Sequence, residues 1–184
     1  MASLRPAPEW RIAHWMNAPA PLSVEALRGR AILVVAFQML CPGCVSYCLP
    51  QAMRARAAFA PEELAVIGLH TVFEHHAAQG PPQALAAFLH EYRIDVPVGI
   101  DAPSEEGVPW TMRAYQMQGT PTTILIDRAG RLRLQKFGHL DDLQLGAAVQ
   151  ALIGERQHVA YGQDGRASED FGAEACPLPA AASP

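Results

Sequence analysis

The chain has 184 residues, a length that suits one domain or one domain with a tail. Half of it is hydrophobic and 17% is charged, which is enough to build a core and too apolar for a disordered protein. A formal net charge of −4 leaves no basic footprint, so nucleic-acid binding is not expected.

Charge is uneven along the chain. The first 60 residues carry six Arg and two Glu, and the remainder is acidic in excess. We read this as surface composition. The N-terminus lacks the apolar core of a secretory signal, and no stretch approaches 18 apolar residues. A cytoplasmic protein without a membrane contact is therefore expected.

Residues 1–30 are rich in Pro and Arg and are expected to wrap the domain surface as an N-terminal extension. One helical cue lies within them: Ser23 as a cap, Glu25 and Leu27 after it, and Gly29 as the stop. Ala31 to Phe37 is a continuous apolar run, which predicts a strand buried on both faces. Pro42 to about Ala60 predicts a helix with a proline in its first turn, and Pro50 should kink it.

Leu64 to His70 predicts a second buried strand. Pro82 to Tyr92 carries apolar residues at helical spacing. Val96 to Ile100 predicts a short strand, whose Pro97 suggests an edge or an end. Pro109 to Tyr115 predicts a short helix. Thr122 to Asp127 and Arg131 to Phe137 predict a hairpin around Arg128-Ala-Gly130. Leu140 to Ile153 predicts a last helix, with Asp141 and Asp142 in its first turn. The order is β-α-β-α-β-α-β-β-α, an α/β fold. In residues 154–184 apolar periodicity is lost, and a flexible or surface-wrapped tail is expected.

Four Cys is the informative count. Cys41, Cys44 and Cys48 sit within eight residues, and Cys176 is far away. Such crowding points to redox or metal chemistry at one place rather than to a scattered disulfide framework. Cys41-Pro-Gly-Cys44 follows the first buried strand and opens a helix. A thiolate there meets the positive end of the helix dipole and unpaired N–H groups, so the pKa of Cys41 should fall below about 8.5. Cys41 then attacks a disulfide and Cys44 resolves the mixed disulfide. Pro42 limits the loop conformation, and Gly43 leaves room for a substrate. Cys48, four residues on, is read as a packed small hydrophobe. Cys176 is read as a bystander.

Residues 15–153 resemble the thioredoxin superfamily, in particular its TlpA-like and redoxin branch of thiol-disulfide oxidoreductases. Three segments carry the likeness. They are Cys41-Pro-Gly-Cys44 after a hydrophobic strand, Gly119-Thr-Pro-Thr-Thr-Ile-Leu-Ile-Asp-Arg-Ala-Gly130, and the insertion Val66-Ile-Gly-Leu-His-Thr-Val-Phe-Glu-His-His76. The resemblance implies a central mixed β-sheet flanked by helices, with an inserted β-α element. It implies a cis Pro121 facing the cysteines, with Thr120-Pro121 pairing with a substrate strand. It implies no cofactor. The partners would be a protein or small disulfide or dithiol substrate and an upstream electron donor, with the oligomeric state open.

Two positions depart from the pattern. Many relatives have Trp where this chain has Leu40, and an acidic or amide residue where it has Val35. The proton acceptor for Cys44 is therefore unassigned. Glu74, His75 and His76 are candidates, although a polar surface loop is the plainer reading.

Two other chemistries compete with this reading. A peroxiredoxin-like thiol peroxidase needs Thr three residues before its cysteine, where this chain has Gln38. A Sco-like copper protein uses a CxxxC and a later His; Cys44 and Cys48 offer the spacing, with His70, His75, His76 and His139 as candidates.

Overall fold

The computed structural model describes residues 5–155. Its strands are β1 (Ile12–Met16), β2 (Ala31–Phe37), β3 (Leu64–His70), β4 (Val98–Asp101), β5 (Thr122–Ile126) and β6 (Leu132–Phe137). Its helices are α1 (Leu49–Ala58), α2 (His76–Gln79), α3 (Pro82–Glu91), α4 (Trp110–Ala114) and α5 (Asp142–Gly154). They form one mixed sheet in the order β1-β4-β3-β2-β5-β6, flanked by helices. β2 runs parallel to β3 and antiparallel to β5.

β2 and β3 are buried along their whole length because both faces of the sheet are covered. Side chains alternate between the two faces. Ala31, Leu33, Val35 and Phe37 meet Leu49, Ala52 and Ala55 of α1, Leu85 and Leu89 of α3, and Leu145, Val149 and Leu152 of α5. Ile32, Val34 and Ala36 meet Met112 of α4, Tyr115, and Ala7, Val24 and Leu27 from the N-terminal segment.

That segment is part of the sheet as well as a wrap. β1 pairs antiparallel with β4, so β4 is an internal strand. The sequence did not announce β1: Ile-Ala-His-Trp-Met has no clean alternation, because an edge strand is only half covered. Pro97 lies just before β4 and accepts at its carbonyl from Gly68 N–H at 2.9 Å. It sits at a strand end, where its missing N–H removes no ladder bond. Around Ser23 the chain makes turns instead of a helix. The Ser23 hydroxyl still accepts from Ala26 N–H at 3.0 Å, and the Glu9 carboxylate accepts from Val24 and Glu25 N–H, both at 3.0 Å.

The long helix after β2 starts at Pro42 and is not uniform. Cys44–Cys48 is a π-helical turn in which Leu49 N–H donates to Cys44 O, and α1 continues from it. Pro50 follows immediately. Lacking an N–H, it cannot donate to the carbonyl four residues back, and the preceding turn widens to accommodate it. The expected kink therefore takes the form of a π turn. The short helix α2 is an addition to the expected list, and α5 begins at Asp142, capped by the Asp141 carboxylate. The parallel strands β2, β3 and β4 end at one pole, where Phe37 pairs with His70 and His70 with Ile100. The loop carrying Cys41 leaves from that pole, where α/β sheets commonly place ligand sites.

Candidate active site

The loop from Gln38 to Cys41 carries the chain from the end of β2 to the helix start. Cys41 O accepts from Val45 N–H at 3.1 Å, which makes Cys41 the residue that opens the helix. Cys41 and Cys44 form a disulfide with Cα atoms 5.2 Å apart. Cys41 is partly exposed, whereas Cys44 is fully buried among the apolar residues of the sheet and α1. Cys44 N–H donates to Cys41 Sγ at 3.2 Å. A thiolate at Cys41 would inherit that donor.

The second wall comes from the segment before β5. The Thr120–Pro121 peptide is cis, and the Thr120 carbonyl oxygen lies 3.6 Å from Cys41 Sγ. Thr122 Oγ1 donates to Gly119 O at 2.7 Å, and Gly138 N–H donates to Pro121 O at 2.8 Å, so this loop is held from both sides. Gly43 faces it closely: a Cβ there would lie 3.6 Å from Pro121 Cδ. Pro42 is exposed beside Cys41. Cys41, Pro42, Gly43, Cys44, Thr120 and Pro121 thus stand together, although 79 residues separate Cys41 from Thr120. Leu40, Tyr47 and Phe137 are exposed; Phe137 lies beside Gly119, and Tyr47 packs against His139 with ring centroids 5.4 Å apart.

The loop candidates for proton transfer make no hydrogen bond to either sulfur. Glu74 is exposed, and its carboxylate accepts from Gln38 Nε2 at 3.3 Å. His75 and His76 are exposed on α2 and the residue before it. Val35 packs in the same apolar cluster as Cys44.

Sequence reasoning missed two features. Gln38, which stands where a peroxidase needs Thr, is fully buried and bonded to Gln79. His70 is fully buried at the end of β3, against the Phe37 ring at 5.3 Å. Neither of its ring nitrogens has a partner among the described residues, and burial pushes its pKa down to about 4.

Cys48 is fully buried one turn beyond Cys44, and burial pushes its thiol pKa up. This environment is that of a packed small hydrophobe. Among the described residues no group of three or more His, Cys, Asp or Glu is placed to hold a metal ion. Cys176 lies outside the described residues. No helix among the described residues is long and apolar enough to cross a membrane. Trp10 and Trp15 pack together against the second core, whereas Trp110 is exposed with Arg11 over its ring.

Comparison with solved structures assigns the class. A crystal structure of a thioredoxin-like superfamily protein is 53% identical with a TM-score of 0.81, covering 83% of this chain and 98% of that one. A thiol-disulfide isomerase from Corynebacterium glutamicum is 43% identical with a TM-score of 0.78, covering 82% and 97%. A thiol:disulfide interchange protein of the thioredoxin family from Chlorobium tepidum is 19% identical with a TM-score of 0.60, covering 84% and 99%, a likeness of fold alone. No family model and no curated protein matches the chain. The chain belongs to the thioredoxin-like superfamily. Its enzyme class is thiol-disulfide oxidoreductase.

Proposed function

We propose that this protein exchanges thiols and disulfides at Cys41–Cys44, with Cys41 attacking and Cys44 resolving. The observation that carries the reading is the unequal exposure of the two sulfurs. Only Cys41 is accessible to a substrate, and it faces the cis Thr120–Pro121 peptide.

In the reducing direction the Cys41 thiolate attacks one sulfur of a substrate disulfide. A Cys41–substrate S–S bond forms, and the other substrate sulfur leaves with the electron pair and takes a proton. Cys44 then gives up its proton and attacks Cys41 Sγ. The second substrate thiolate departs, and the Cys41–Cys44 bond closes. The substrate gains two electrons and two protons, and the protein's pair is oxidised. An upstream dithiol donor restores it. Pro42 and Gly43 leave the approach open, and the Thr120 backbone orients an extended substrate segment. The unit that does this is read as residues 15–153.

In a reducing compartment such as the cytoplasm the direction is disulfide reduction; in an oxidising one it reverses. Equilibration in glutathione buffers of graded ratio tests the pair. We expect two thiols to disappear and return together as one two-electron couple, with Cys48 remaining a thiol. A pair that stays fixed both in glutathione and in the more strongly reducing dithiothreitol buffers is not an exchanger.

A further inference from the structure

Two buried glutamines join the active-site loop to the loop after β3. Gln38 precedes Cys41 by three residues, and Gln79 ends α2. Both are essentially inaccessible to solvent, at 1% exposure each. Their amides face each other, with Gln79 Nε2 donating to Gln38 Oε1 at 3.0 Å.

Each remaining contact fixes the orientation of an amide. Gln79 Oε1 accepts from Leu40 N–H at 3.2 Å, and Gln79 Nε2 also donates to Glu74 O at 2.9 Å. Gln38 Oε1 accepts from Phe73 N–H at 3.2 Å, and Gln38 Nε2 donates to the Glu74 carboxylate at 3.3 Å. Turning either amide over would set oxygen against oxygen or N–H against N–H. One directed chain results. It runs from Leu40 N–H through Gln79 and Gln38 to the Glu74 carboxylate, with every donor pointing the same way. Aligned bonds of this kind polarise one another, and an ionised acceptor at the end strengthens them.

We propose that Gln38 and Gln79 are positioning residues for Cys41. The step from Gln38 to Cys41 lies outside the sheet ladder, and the Leu40 side chain is exposed, so nothing else described holds the Leu40 N–H. The bond to Gln79 anchors the residue just before the nucleophile. That anchor keeps Cys41 Sγ within reach of Cys44 N–H, the donor that stabilises the thiolate. The inserted loop is thereby a working part of the site. Glu74 acts in it as the outer acceptor of the chain, with no contact to either sulfur required.

The proposal rests on Cys41 being the attacking thiol, and the experiment separates the two claims. Amide hydrogen exchange is measured on the oxidised wild-type protein and on Gln79→Leu. Alkylation of reduced Cys41 by iodoacetamide is then followed against pH. The control is Asn17→Ala at the opposite pole, which removes two hydrogen bonds, to Ile94 O and Val96 O, and a left-handed Asn.

We expect the Leu40 amide to be protected in wild type and unprotected in Gln79→Leu. Alkylation of Gln79→Leu at neutral pH should be about fivefold slower, the worth of one hydrogen bond, with its pH midpoint moved upward. Asn17→Ala should lose stability and keep the wild-type alkylation profile. Freely exchanging Leu40 in wild type overturns the proposal whether or not Gln79→Leu folds. Equal changes in Gln79→Leu and Asn17→Ala also overturn it. Failure of disulfide exchange itself would appear separately, as a wild-type pair that cycles neither in glutathione nor in dithiothreitol buffers.

Discussion

Cys44→Ser is expected to release one equivalent of substrate thiol in a burst and then stop, whereas Cys41→Ser gives no burst at all. Both should lower steady-state disulfide reduction by at least about a thousandfold, because nucleophile and resolver act as one unit. The two losses differ in kind. In Cys44→Ser the exposed sulfur, its Cys44 N–H donor and the Thr120–Pro121 wall are all kept, so the first attack proceeds. What is missing is the second sulfur, and the mixed disulfide persists. In Cys41→Ser, Cys44 and Cys48 are both fully buried in the apolar cluster of Val35 and α1 and have no path to a substrate. Single-turnover thiol release read with a chromogenic disulfide checks both variants, each also carrying Cys176→Ser so that the fourth thiol adds no signal. A burst from Cys41→Ser would mean that Cys44 reaches solvent and would reverse the assignment.

The largest stability effect is expected at His70. This ring is fully buried without a polar partner among the described residues, and its pKa is pushed down to about 4 by burial. The unfolded chain binds the proton near pH 6.5, so unfolding takes up a proton between those values. The stability that the neutral ring preserves is fully present above pH 6.5. It is lost as pH falls toward 4 and changes no further below that. The loss is about 3 kcal/mol, large against the usual total of about 5–15 kcal/mol.

Asp101 works in the opposite sense. Burial raises its pKa in spite of hydrogen bonds from Thr111, Met112 and Thr71, so it favours the folded state as pH falls. Asp127, held low by its hydrogen bonds with Arg131 and Arg133 against the cost of its burial, loses its contribution only in the carboxylate range. The comparison must therefore be a difference. Urea unfolding of wild type and His70→Leu at pH 7.5 and at pH 4.5 isolates the ring. The wild type should lose about 2.5 kcal/mol more than the variant over that interval. Parallel pH profiles would show that His70 is hydrated or partnered in solution.

How much of this was visible in the sequence depends on how far apart the interacting residues lie. Ala31–Phe37 and Leu64–His70 were legible to the residue, because strands buried on both faces leave unbroken apolar runs. Cys41 and Cys44 were legible from spacing and from their place after such a run. Thr120 and Pro121 were not legible from local pattern, since 79 residues separate Cys41 from Thr120; the family resemblance supplied them.

The Gln38–Gln79 pair left no trace. The two are 41 residues apart, and a glutamine after a strand or at the end of a four-residue helix reads as surface. The burial that makes them matter is created by the folded loop itself. β1 was hidden for a different reason, its half-covered edge position. Pro50 located the irregularity in the helix, but the choice of a π turn over a bend depends on packing that no local signal encodes.

The most direct test of thiol–disulfide exchange at this site is the position of the trapped sulfur. Cys44→Ser, with Cys176 also replaced by Ser, is mixed with a disulfide substrate, quenched with acid, digested without reduction, and the substrate adduct is mapped by mass spectrometry. The adduct is predicted on Cys41 alone, at close to one per chain, with Cys48 unmodified. An adduct on Cys48, or no adduct on Cys41, would contradict the account.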